Sequence, residues 1–217
     1  MILDENHQNE EGTSLAVRLR ENRDRYRIAK GGIIFAVGYS FIELLNNLYQ
    51  LLSENFYYAP VSVLLDVISL LVVIIAAIMF IPWFRRAYYN LHQTNMFDLK
   101  YAEGWAAGGW FVPIISLFYP FRIMRDIYAG YCELSKDAQD HPGSDATDAI
   151  GWWWALWIIS GVLSNIMARV SDGETESVAS YIIYILIEVM SITSGLLLVS
   201  IMTRVSKMES VAYQKSI

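Results

Sequence analysis

A lone cysteine, Cys132, leaves this chain of 217 residues unable to form an internal disulfide. His7, His92 and His141 are scattered and have only that cysteine for company, so no metal-ligating spacing exists and no metal or cofactor is expected. No glycine-rich phosphate loop follows a strand pattern, which removes support for nucleotide binding. Asp66 is the single aspartate within an apolar window, whereas an intramembrane aspartyl protease needs a pair. The spacing of Arg86 and His92 is too short a pattern to mark a ribonuclease. With no nucleophile placed beside a base, the chain reads as non-enzymatic, with no catalytic residue. Charge is also scarce, at 18% of residues, and the net charge of −6 does not suit a nucleic-acid partner. The opening MILDENHQNEEGTS is acidic where a secretory signal peptide would be basic, so no cleaved signal is expected.

Apolar residues are plentiful instead: 55% of the chain is hydrophobic and 14% aromatic, and the mean hydropathy of +0.34 lies outside the usual soluble range. They gather in four windows, 31–52, 60–81, 150–168 and 181–202. Each is near the ~20 residues that a helix rising about 1.5 Å per residue needs to cross a hydrocarbon core. The expected fold is therefore all-α, a polytopic membrane protein with four transmembrane helices in one membrane domain over 31–203. A disordered acidic tail (1–14) and a basic juxtamembrane segment (15–30) precede it, and a cytoplasmic tail (204–217) follows. Residues 88–103 mix apolar and polar positions and are expected to lie along the inner surface as an amphipathic helix.

A fifth apolar stretch, 104–121, has no charge but is interrupted by Gly104, Gly108, Gly109, Pro113 and Pro120. Proline removes a backbone donor and glycine weakens a helix interior, so a re-entrant or interfacial segment is expected rather than a fifth crossing. Positive charge agrees. If 104–121 returns to its own side, every Lys and Arg except Arg169 falls on one face; if it crosses, Arg122, Arg125, Lys136, Arg204, Lys207 and Lys215 move to the other. Basic residues are retained in the cytoplasm, which puts both termini there. Arg85, Arg86, Arg122 and Arg125 then stand at the cytoplasmic surface as lipid-headgroup or gate contacts, and Arg122 and Asp126 have the spacing of a helical ion pair.

The motifs WFRRAYYN, GWFVPIISLFYPFRIMRDI and IGWWWALWIISGVLSNI occur in that order. On them the chain resembles the bacterial membrane family known as domain of unknown function 4328, over roughly 33–200. The resemblance implies a multi-helix membrane fold in a bacterial inner membrane and supplies no reaction, ligand or catalytic residue.

Ionisable groups inside a membrane are costly and so raise the question of function. Glu43, Asn46 and Asn47 share a face of the first window with Tyr39 and Gln50; Asp66 lies in the second and Glu188 in the last. Rise along the helices places the three acids in the outer half. One reading makes them packing contacts in a scaffold or partner subunit that associates with the lipid bilayer and with another membrane protein or itself. The alternative is a small channel or transporter whose outward-facing polar cavity holds a cation or proton.

Overall fold

The computed structural model describes residues 19–53, 60–94, 98–135, 144–170 and 177–215. The acidic tail 1–14 and Arg18 lie outside the described residues. All regular structure among them is helical: α1 Arg23–Leu52, α2 Pro60–Thr94, α3 Trp105–Gly108, a 3-10 turn Ile115–Leu117, α4 Tyr119–Ser135, α5 Ser144–Val170 and α6 Val178–Lys215. Among the described residues, α1, α2, α5 and α6 are long and apolar enough to cross a membrane, which makes this a multi-pass membrane protein. The stretch 104–121 holds no such helix.

The four spans stand in a row, α2 beside α1, α1 beside α6, α6 beside α5. Close approach along the row depends on small residues. A Cβ on Gly195 of α6 would collide with Val37 of α1, and one on Gly32 of α1 would lie 2.8 Å from Sδ of Met79 in α2. Polar side chains add cross-links: Tyr39 donates to the Leu65 carbonyl at 2.7 Å, Tyr26 to Thr203 Oγ1 at 3.0 Å, and Ser194 to the Trp153 carbonyl at 3.0 Å. Within their most apolar stretches only 17% of α1 and α6 and 28% of α2 and α5 is buried, so most of the span surface is left for lipid or another protein.

The dense core lies at one end of the row, where the basic residues are concentrated. Trp83, Phe84, Tyr88 and Leu91 of α2 meet Ile123, Met124, Ile127 and Tyr131 of α4 and Met202 and Val205 of α6, all fully buried. The α4 sequence explains its place. Its buried residues recur at spacings of three and four, while Arg122, Arg125 and Glu133 face outward, the pattern of a helix lying on a core.

The 104–121 stretch packs against this same end. Trp110 touches Phe80 and Phe84 of α2, with centroids 5.7 and 5.9 Å away, and Trp154 and Trp157 of α5, at 6.0 and 5.9 Å. It thereby bridges the two outer members of the row. The Trp154 indole N–H donates to the Leu117 carbonyl at 3.0 Å, satisfying a backbone group that the broken helix leaves over. Phe111 and Ile114 are turned outward, 76% and 74% exposed, as suits contact with lipid.

Two boundaries differ from expectation. Residues 88–94 are not part of a separate surface helix; they continue α2 past Pro82, and Tyr88 and Leu91 enter the core. Likewise α6 does not end near 203 but runs to Lys215. Val205, Met208 and Ala212 carry its apolar stripe beyond the hydrophobic window, so this part of the expected tail is packed. Tryptophans at the start of α5 serve two roles: Trp152 is exposed, and Trp153 and Trp154 are buried.

Trp110 is partly buried, so replacing it by alanine should destabilise the protein by about 2–3 kcal/mol, below the cost of removing a fully buried aromatic. Thermal unfolding in detergent tests this, with Trp110→Phe expected to keep most of the stability because it retains an edge-to-face ring.

Candidate functional site

Two of the three intramembrane acids converge. Glu188 of α6 accepts a hydrogen bond from Ser40 of α1 and lies within electrostatic reach of Glu43, which is buried. Asn46 and Asn47 continue the α1 stripe half-buried, and Gln50 Oε1 is enclosed without a hydrogen-bond partner among the described residues. Asp66 belongs to α2, but its side chain lies outside the described residues; its neighbour Leu65 receives the Tyr39 hydroxyl through the main chain. The α1 and α6 stripes thus face each other, joined by hydrogen-bonding side chains.

A larger polar assembly sits at the basic end. Glu209 Oε1 accepts from the Tyr131 hydroxyl at 2.9 Å and from Asn90 Nδ2 at 3.0 Å, and Oε2 accepts from Asn22 Nδ2 at 3.3 Å. Asn90 also holds the chain ahead of α1, donating to the Arg20 carbonyl at 2.8 Å and accepting the Arg20 N–H at 3.1 Å. Asn22 occupies the N-cap position of α1, yet its side chain makes no capping bond and reaches instead to Glu209 and the Trp83 carbonyl. Tyr131 is buried, which pushes its phenol well above the ordinary value of 10.0, so it stays protonated; its hydroxyl lies within donating distance of the Ala87 carbonyl, at 3.1 Å, as well as of the Glu209 carboxyl.

None of these residues stood out in the sequence. Asn90 adjoins the tyrosines of RRAYYNLH, and Glu209 lies beyond the hydropathy window that closes near 202. The available signal was periodicity: Val205, Met208 and Ala212 extend the α6 stripe, with Glu209 directly beside it.

The four arginines proposed as surface contacts fall into two sets. Arg85 forms a 3.9 Å ion pair with Glu103, both well exposed, a kind of pair worth about 0–1 kcal/mol. Arg86 and Arg20 lie over the Tyr89 ring, 5.5 and 5.0 Å from its centroid. Arg122 and Arg125 face a separate open pocket of about 440 Å³, lined also by Lys100, Tyr101, Asp126 and Thr147. Arg122 does not pair with Asp126 as the spacing suggested. Its Nη1 donates to the Tyr101 hydroxyl at 2.9 Å, because Tyr101 is fixed over α4. The Tyr101 carbonyl accepts from Tyr88 at 3.0 Å and lies 3.0 Å from His92 Nε2, and its ring packs 4.3 Å from that of Tyr119. Among the described residues no group of three His, Cys, Asp or Glu side chains is placed to hold a metal.

Comparison with known families matches residues 58–208 to the domain of unknown function DUF4328, well over half of the chain, so the chain belongs to that family. The match starts after α1, whereas the resemblance begins at about residue 33. No curated protein and no solved structure matches the chain.

Burial raises the Asp126 carboxyl above its ordinary 3.8, and nearby Arg125 offsets part of the rise. A carboxyl with a raised folded-state value binds its proton more tightly when folded. Its contribution to stability is therefore fully present below 3.8 and declines as pH climbs through the folded-state value. Asp126→Asn should flatten that part of the stability–pH curve relative to wild type, measured by thermal unfolding between acidic and neutral pH.

Proposed function

We propose that this DUF4328 member is a non-enzymatic scaffold or partner subunit that docks another membrane protein or a second copy of itself. The observation that carries the reading is how the polar groups of the spans are used. Tyr39, Ser40, Tyr26 and Ser194 each join one span to its neighbour, leaving outward faces that are broad and apolar. Interhelical hydrogen bonds of this kind act as packing contacts in membrane bundles, typically worth about 1 kcal/mol.

The retention of basic residues in the cytoplasm supports a placement with both termini inside, and the resemblance to a bacterial membrane family supports the bacterial inner membrane as the location. On that orientation the packed end with the Glu209 assembly is the cytoplasmic end, and the 104–121 stretch enters the bilayer from that side and returns.

A second reading, a small channel or transporter for a cation or proton, draws on the convergence of Glu43 and Glu188. The two are separated by reconstituting the protein in liposomes and following proton and monovalent-cation flux. The scaffold reading expects flux no greater than in empty vesicles, for wild type and for Glu43→Gln and Glu188→Gln alike. Wild-type flux above that background, lost in the two variants, would replace it with the transport reading.

A further inference from the structure

The pocket between α4, the 98–104 stretch and the start of α5 has features that the scaffold reading does not use. Lys100, Arg122 and Arg125 converge on it against a single carboxyl, that of Asp126. Three cations around one anion is an unbalanced set at a site that has walls, and among the described residues none of the three is engaged in an ion pair. Arg122 spends one donor on Tyr101 and keeps the remainder of its fork, and the Arg125 guanidinium is held 5.7 Å over the Phe121 ring rather than on a carboxylate. Thr147, near the start of α5, also lines it. At about 440 Å³ the pocket falls within the roughly 300–1,000 Å³ range of small-ligand sites.

Its surroundings narrow the ligand. Arg122 follows one helical turn after Phe118, whose carbonyl accepts the Arg122 N–H at 3.1 Å. Phe118 and Ile114 are exposed apolar residues immediately before it in the chain. A charged cavity thus stands next to a surface suited to acyl chains.

We propose that this pocket binds the phosphate of an anionic lipid headgroup, with Arg122, Arg125 and Lys100 as its ligands and the exposed apolar stretch before Arg122 receiving the lipid body. Arginine forks match phosphate oxygens in pairs, and lysine supplies a point charge. The site stands apart from the scaffold reading and does not depend on it.

The test uses the full chain, purified in neutral detergent and titrated with phosphatidylglycerol, phosphatidylcholine or sodium phosphate, with bound lipid counted by native mass spectrometry. Phosphatidylglycerol is expected to bind well ahead of phosphatidylcholine, which carries a phosphate but no net charge. Arg125→Gln and Lys100→Gln, both exposed and outside the core, should each weaken phosphatidylglycerol binding about fivefold, in keeping with the worth of one cation at an anionic surface. Asp126→Asn should strengthen it, a direction that loss of folding cannot mimic. Displacement of the lipid by sodium phosphate would locate recognition in the phosphate itself; resistance to displacement would assign it to the whole lipid. Equal binding of the two lipids, or unchanged phosphatidylglycerol binding in folded Arg125→Gln and Lys100→Gln, would overturn the proposal.

Discussion

The carboxyl group of Glu209 is the joint on which the architecture turns. It receives hydrogen bonds from α4 through Tyr131, from α2 through Asn90 and from the chain entering α1 through Asn22. Removing a carboxyl from water costs several kcal/mol, and that cost is offset only when its oxygens find donors of good geometry. Three neighbouring segments supply them, so their relative positions are fixed together. Asn22 gives up the local cap that its position would favour in order to take part.

A bundle fastened at one end needs little from its spans. In lipid, apolar side chains gain no hydrophobic energy by leaving the tails for one another, so helices associate through close packing and a few polar contacts. The row from α2 through α1 and α6 to α5 meets that description, with Gly32 and Gly195 at its seams. What completes it is the chain between α2 and α4. Proline and glycine keep that stretch from forming a membrane-length helix, and Trp110 uses the resulting turn to hold α2 and α5 at the packed end. The same break in the helix therefore supplies the bridge.

Hydropathy made the four spans legible, because a bilayer imposes a length and composition that local sequence must meet. Helix breakers likewise separated 104–121 from the membrane-length helices. The stripes on α1 and α6 were readable from spacing, and Glu43 and Glu188 do share an interface. Beyond the membrane windows that guide lost its force. Val205, Met208 and Ala212 of α6 are buried by protein rather than by lipid, so an amphipathic period, and not mean hydropathy, marks them. Asn90 and Tyr131 bond to a residue far along the chain, and no local pattern announces such a partner. Arg122 misled for the same reason: its helical spacing from Asp126 was visible, whereas the nearby hydroxyl of Tyr101 was a product of folding.

The proposed scaffold role and phosphate pocket both build on a rigid basic end, and the rigidity rests on the Glu209 contacts. The most direct measurement is a double-mutant cycle between Glu209→Gln and Tyr131→Phe, read as unfolding free energy in a defined detergent or bicelle. The two changes should be strongly non-additive, with a coupling of about 1.5–3 kcal/mol, the range for a hydrogen bond to a charged group. Additivity to within about 0.5 kcal/mol would contradict the account, since it would mean that the carboxyl does not hold α4 and α6 together.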